Sequence, residues 1–271
     1  MKWNDKVVVI TGASSGIGKA LAIEFAKRGA NLVVAARNYV ALCELTESLI
    51  KQYNIQAVAV QCDVSIEDDC AHLIKQTMLT FKHIDVLINN AGISMRALFK
   101  DVELSVLKQI MDINFWGTVY CTKYALPHIR KTQGSIVGVS SVAGYKGLPG
   151  RAGYSASKFA MNGFLDVLRV ENLKTGVHVL TACPGFTASN IRNTALAKDG
   201  SQQGETHMDE GKLMPAEEVA RRIADGVENR ARVLIMTGQG KLAVLLGKFV
   251  PGLVDKLVYK TFAKEKDALL K

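Results

Sequence analysis

The chain switches between short runs in which nearly every position is apolar and longer stretches in which apolar residues recur every three or four positions. Lys6–Thr11 (KVVVIT), Asn31–Ala36 (NLVVAA), Ala57–Cys62, Ile84–Ile88, Ser135–Ser140 (SIVGVS) and Val177–Cys183 are runs of the first kind. Such β-branched, nearly unbroken runs read as strands covered on both faces, and Val233–Met236 reads as a last short one. Between them the spacing is helical: to about Arg28, from about Tyr39 to Tyr53, from near Ile66, from about Leu104 to Lys131, through Tyr154 to about Leu173, and after Pro215. The alternation predicts a single α/β domain over residues 1–240, with no internal repeat. Residues 186–214 break the pattern; this polar stretch, dotted by Gly200, Gly204 and Gly211, reads as a lid over a site.

Residues 241–271 read as an amphipathic extension of the same domain. Leu242, Leu245, Leu246, Phe249 and Val250 form one apolar stripe, and Leu253, Val254, Leu257, Val258 and Phe262 follow after Pro251-Gly252, with lysines on the other faces. Two readings stand side by side: a tail packed on its own domain or a second subunit, or a surface for long apolar substrates or a membrane.

Composition narrows the partners. At 48% hydrophobic and 22% charged, the 271 residues are those of an ordinary globular protein. The net charge of +9 is dispersed, thickening only at Lys248, Lys256, Lys260, Lys264 and Lys266, and no basic run is interleaved with aromatics. That argues against nucleic acid and leaves an anionic cofactor, an acidic substrate or a membrane surface. Five cysteines without a CxxC, and no zinc spacing among them and the histidines, fit a reducing compartment and predict no metal. The first residues enter a strand almost at once, and no stretch has the 18 or so apolar residues of a spanning helix. The expectation is a cytoplasmic protein, peripheral to a membrane at most.

Chemistry concentrates in three places: the turn after the first strand, the ends of the next three strands, and the stretch from Ser141 to Lys158. The first strand runs into Gly12, Ala13, Ser14, Ser15, Gly16, Ile17 and Gly18 and then a helix, the context in which small residues let a backbone approach a diphosphate at a helix N-terminus. After the second strand stands Arg37 with no acid beside it; a guanidinium suits a 2′-phosphate better than a neutral ribose, which favours NADP(H), unless Arg37 is only a solvated surface residue. The third strand ends at Asp63-Val64, where Asp63 either accepts from an adenine amino group or caps the following helix. Asn89, Asn90, Ala91 and Gly92 end the fourth strand, where small residues and amides either let the chain lie against the cofactor and tie neighbouring strands together or are turn chemistry alone. The third place is Ser141 to Lys158. Tyr154 and Lys158 are one helical turn apart, so an ammonium stands near a phenol whose ordinary pKa of about 10 is too high for efficient proton exchange at neutral pH. Ser141 follows a strand and offers a hydroxyl to a carbonyl or alcohol oxygen. Asn114, inside an apolar helix, is either a satisfied core amide or part of a polar relay. Gly153-Tyr-Ser155-Ala-Ser157 lacks the last glycine of a nucleophile elbow, so a serine hydrolase is set aside.

In their order and spacing, Thr11-Gly12, Gly16, Gly18, Asn89-Asn90-Ala91-Gly92, Ser141, Tyr154, Lys158 and Pro184-Gly185 resemble the short-chain dehydrogenase/reductase family up to about residue 240. The resemblance implies a Rossmann-type, doubly wound sheet of about seven parallel strands and a nicotinamide cofactor near Tyr154. It implies that Asn114 completes a tetrad with Ser141, Tyr154 and Lys158, that Lys158 also holds the nicotinamide ribose, and that Asp63 and Thr187 contact adenine and carboxamide. It implies a homodimer or homotetramer built through the helices around Asn114 and Tyr154. From Cys183 onward the chain is similar to the branch of lipid and steroid carbonyl reductases, including those acting on acyl/alkyl-dihydroxyacetone phosphate. The expected activity is NADPH-dependent reduction of a lipophilic ketone. A 3-oxoacyl-thioester reductase would use the same residues but end soon after the last strand, and a cofactor-sensing protein would have no need of the intact set. The pocket walls are expected from Ile93–Phe99, Val142–Arg151 and the lid, with Leu148, Phe186 and Met214 as apolar surface and Arg96, Lys146 and Arg151 facing an anionic group.

Overall fold

A computed structural model describes residues 3–188, 191–204, 213–264 and 268–270. The apolar runs form one parallel sheet of seven strands: β1 (Val7–Thr11), β2 (Asn31–Ala36), β3 (Ala57–Gln61), β4 (Val86–Asn89), β5 (Ser135–Val139), β6 (His178–Cys183) and β7 (Val233–Ile235). Their order across the sheet is β3-β2-β1-β4-β5-β6-β7. The chain winds outward from β1 in one direction, crosses after β3 and winds the other way from β4, as the doubly wound expectation requires. Why these runs are apolar at every position is visible in β1. Val8 and Ile10 point into one core with α1 (Gly16–Lys27), α2 (Tyr39–Tyr53) and α7 (Ala216–Glu228). Val7 and Val9 point into the other, with α3 (Glu67–Phe81), α5 (Gly117–Thr132) and α6 (Ala152–Glu171). Alternation between faces cannot show as alternation in polarity when both faces are dry. Trp3 closes the first core, its ring edge-on to Phe25 at 4.8 Å and its indole N–H donating to Glu228 of α7.

The helix expected from Leu104 to Lys131 is three pieces: α4 (Leu104–Met111), a π-helical turn over Asp112–Trp116, and α5. The extra residue in that turn has a cause in a distant segment, described below. After β7 come α8 (Gly238–Phe249) and α9 (Pro251–Phe262), broken at Val250 ahead of a proline that cannot continue the ladder. The tail is part packed and part exposed. Val254 and Phe262 are buried and Asp255 pairs with Lys146, whereas Leu242, Leu245, Phe249, Leu253 and Leu257 are exposed. No described helix is long and apolar enough to cross a membrane.

Of the expected lid, 189–190 and 205–212 lie outside the described residues. The rest is held to the body: Leu196 is buried against Met95, Ala97, Val106 and Ile110, and its N–H and C=O bond the Ser94 carbonyl and the Arg96 N–H.

Candidate active site

The crevice beyond the carboxyl ends of β1 and β4 is where a doubly wound sheet receives ligands, because the chain leaves those two strands in opposite directions. Here the floor is a turn with no room for a side chain at Gly12 or Gly18. Gly12 has φ +65°, and a Cβ on Gly18 would stand 2.1 Å from the Gly12 carbonyl oxygen. Asn90 locks that turn to the neighbouring strand, donating to the carbonyls of Thr11 (2.9 Å) and Gly12 (3.2 Å). The Thr11 hydroxyl returns the tie by accepting from the N–H groups of Asn90 and Ala91. Ser15 stands at the N-cap of α1 without a side-chain cap, and the first turn of that helix holds no acid. Its leading N–H groups and positive dipole end therefore fit a phosphate, which is the chemistry a dinucleotide brings.

The other predicted cofactor residues line the same edge. Arg37 is exposed immediately after β2. Asp63 does not cap α3, whose N-cap is Ile66; instead its Oδ1 accepts from the Ser65 N–H (3.0 Å) and hydroxyl (2.7 Å) in a turn after β3. Val64 is buried against the start of α5, 2.7 Å from where a Gly117 Cβ would lie. Pro184 and Gly185 follow β6, and buried Thr187 donates to the Gly185 carbonyl (3.2 Å).

Asn114 is fully buried, and its amide is completely used. It accepts from the Ile93 N–H (2.8 Å) and donates to the Ile93 carbonyl (2.9 Å) and the Ser157 hydroxyl (2.9 Å). Those bonds come from outside its own helix and accompany the π turn that carries it. Ser157, which the sequence reading passed over, donates in turn to the Tyr154 carbonyl (2.8 Å) and so joins Asn114 to α6. A seryl hydroxyl three residues beyond a helical tyrosine was the available signal. Gly92 lies between the two polar helices: a Cβ there would stand 3.1 Å from Asn114 Oδ1 and 3.6 Å from Lys158 Nζ.

Tyr154 and Lys158 do share a face of α6, with Nζ 5.8 Å from the ring centroid, but the ammonium donates to the Val139 carbonyl (2.8 Å). Burial pushes the Tyr154 phenol above its ordinary pKa; the Ser141 hydroxyl, within bonding reach, pulls it back, and so does the charge of Arg151. Burial also lowers Lys158 to about 8. The expected lowering of the phenol by the Lys158 ammonium is not seen in this arrangement: loss of water raises the phenol, and the groups that oppose it are Ser141 and Arg151. Ser141 sits at the start of a 3-10 turn (Val142–Gly144), its Oγ accepting from the Ala143 N–H (3.1 Å).

A small cleft is lined by Arg96, Pro149, Arg151, Phe262, Leu269 and Leu270. Arg96 and Arg151 were expected there; the three tail residues were not. Leu269 presses on Gly150, 2.6 Å from where a Cβ would lie. Lys146, counted toward an anionic group, pairs with Asp255 of α9 instead. Among the described residues no cluster of His, Cys, Asp or Glu could hold a metal.

Residues 6–200 match the family model described as short chain dehydrogenase. The chain belongs to this family. As a short-chain dehydrogenase/reductase it is an oxidoreductase, and it has steroid-type relatives. It is 44% identical to 11-beta-hydroxysteroid dehydrogenase A of Arachis hypogaea over 76% of its own length, a match that spans 58% of that longer protein. It is 35% identical to Dehydrogenase/reductase SDR family member 7B of Mus musculus over 96% of its length and 82% of that protein's. A short chain dehydrogenase/reductase from Burkholderia phymatum, solved in complex with NAD, has the same fold: TM-score 0.83, 22% identity, 93% of this chain and 96% of that one.

Proposed function

We propose that this short-chain dehydrogenase/reductase is an NADP(H)-dependent carbonyl reductase acting on a lipophilic, steroid- or lipid-like ketone. The observation that carries the reading is the convergence of Ser141, Tyr154, Lys158 and Asn114 beside a tight glycine turn that leads into an uncapped helix N-terminus. Bound at that turn, NADPH would supply a hydride to the carbonyl carbon. The protein's residues do the rest. Ser141 holds the carbonyl oxygen and Tyr154 delivers a proton to it, burial having moved the phenol above its ordinary pKa. Lys158, with its pKa lowered to about 8, exchanges protons near neutrality and can restore the phenol's; Asn114 holds the end of that relay in place through Ser157 and Ile93. Gly12, Ser14, Ser15, Gly16, Ile17 and Gly18 would hold the diphosphate, Arg37 the 2′-phosphate, Asp63 and Val64 the adenine, and Asn90, Ala91, Gly92, Pro184, Gly185 and Thr187 the nicotinamide half.

The steroid dehydrogenase names among the relatives and the apolar tail around the cleft support a large apolar substrate. Exposed Leu245, Phe249, Leu253 and Leu257 support contact with a membrane surface, and exposed Trp116, Phe159, Val167 and Val170 support a homodimer or homotetramer. The test is cofactor oxidation against a steroid ketone, a lipid ketone, a 3-oxoacyl thioester and a small aldehyde, with NADPH and NADH in parallel. Tyr154→Phe should lower turnover by about 100- to 10,000-fold while leaving cofactor binding intact, and Arg37→Ala should erase the NADPH preference. Near-normal turnover in the Tyr154 variant would overturn the acid assignment; turnover on the thioester alone would replace the substrate class.

A further inference from the structure

The N-cap of α6 is Arg151, and by the rules of helix termini it is misplaced. A cation at the positive end of a helix dipole is unfavourable, Arg is a poor N-cap, and its side chain makes no capping bond. The first turn of α6 contains no acid to offset it. Yet the guanidinium is held with some care: its carbon lies 5.6 Å from the ring centroid of Phe262 at the end of α9 and 6.0 Å from that of Phe186 at the root of the lid. Backbone bonds fix its neighbours as well, with Gly150 accepting from the Ala97 N–H (3.0 Å) and Arg151 itself from the Ser155 N–H (2.8 Å). A residue that breaks a local rule and is braced from two other elements is a candidate for function.

What it stands beside is Tyr154, one helical turn along. We propose that Arg151 is a positioning residue for the proton-transfer step: Phe186 and Phe262 grip its guanidinium so that a fixed positive charge stays at the amino end of α6, one turn before Tyr154. This rests on the function proposed above and adds a link to it, because two elements outside the catalytic set then govern the charge that the phenol feels. The groups facing Tyr154 agree. Arg151 and Lys158 come from α6, Cys183 from the end of β6 and the Ser141 hydroxyl from the turn after β5. From α4 and its neighbours, Leu107, Ile110 and Met95 belong to the apolar cluster against which Tyr154 packs. Of these groups Arg151 is a permanent cation whose charge opposes the burial of the phenol, whereas Cys183 pushes the other way. The dipole of α6 adds to Arg151 in favouring a phenolate.

The experiment is the pH dependence of kcat/KM for alcohol oxidation, in which Tyr154 must be ionised to accept the proton, so activity rises through its apparent pKa. Removing a cation raises that pKa, so in Arg151→Gln the rising limb should move upward by about one pH unit. Arg151→Lys should bring it back to within a few tenths, since an ammonium also sits well over aromatic rings. Phe262→Leu, which keeps the charge and loosens the grip, should move the limb the same way by less. A limb that stays in place in Arg151→Gln, even with activity lowered at every pH, overturns the proposal, as does a Lys variant displaced as far as the Gln one. A second readout needs no turnover: the titration of the Tyr154 Cζ in protein labelled with [ζ-13C]tyrosine, assigned by its loss in Tyr154→Phe. Arg151→Gln should raise that midpoint, and an unchanged midpoint overturns the proposal. Absence of turnover on every carbonyl would sink the proposed function and leave this titration to decide the role of Arg151.

Discussion

Lys158 illustrates what a buried charge does to the fold that houses it. Only 3% of the side chain's area is exposed, and its one protein bond is to the Val139 carbonyl, a neutral acceptor. Its pKa falls from 10.5 to about 8 in the fold. The unfolded chain therefore binds more protons than the native one between those values, and stability rises with pH there. The contribution is full above the unfolded pKa and is lost as pH falls through about 8, so at neutral pH the site carries a penalty on the order of 3 kcal/mol. Lys158→Met should remove that dependence. Its urea midpoint should exceed wild type's most at pH 7 and converge with it toward pH 10.5; parallel curves would mean that the ammonium is better solvated than its burial indicates. Gly18 makes the complementary point about space, because no rearrangement of a flexible side chain could relieve a Cβ placed against the Gly12 carbonyl.

Among the elements, the join of β1 to β4 matters most, because the cofactor turn leaves from one and Asn90 from the other. Asn90→Ala strands two carbonyls and should cost about 1–3 kcal/mol. The expected result is a lower urea midpoint with an unchanged slope and weaker cofactor binding; loss of binding with an unmoved midpoint would show that the side chain serves the ligand and not the strands. The amides of Asn89-Asn90-Ala91-Gly92 were readable as a tie between neighbouring strands, and in the structure the Asn90 side chain does the joining, across a gap of 79 positions to Thr11. The strands themselves were plain in the sequence, since burial on both faces writes itself as an unbroken apolar run. The π turn was hidden, because one inserted residue barely disturbs helical periodicity and the bonds that accompany it come from Ile93. Lys146 misled for a similar reason: its partner Asp255 is 109 positions away, and nothing local announces such a pair. Arg151 was read as a pocket wall, and its place beside Phe186 and Phe262 depended on where α9 comes to rest.

For the whole molecule, the family accounts for the sheet and the tail for its individuality. α8 and α9 expose Leu242, Leu245, Phe249, Leu253 and Leu257, while Phe262, Leu269 and Leu270 reach the cleft beside Arg96 and Arg151. The same terminal segment thus turns apolar side chains to the surroundings on one side and lines the cleft on the other. The two tryptophans divide in the same fashion. Trp3 is 4% exposed against Phe25, and Trp116 is 44% exposed on the π turn, stacked on Tyr120 at 5.7 Å. Being the sequence's only two, they make the emission a sum of one sheltered and one wet indole. Iodide should quench the red-shifted part alone, and Trp116→Phe should leave a blue, unquenchable spectrum. If copies of the chain associate through the face that bears Trp116, the quenchable share should shrink with protein concentration while Trp3 stays constant; a share that holds steady through association measured by sedimentation would move the interface elsewhere. The unmodified molecule thereby carries an optical gauge of any change at the face that bears Trp116, with the internal reference built in.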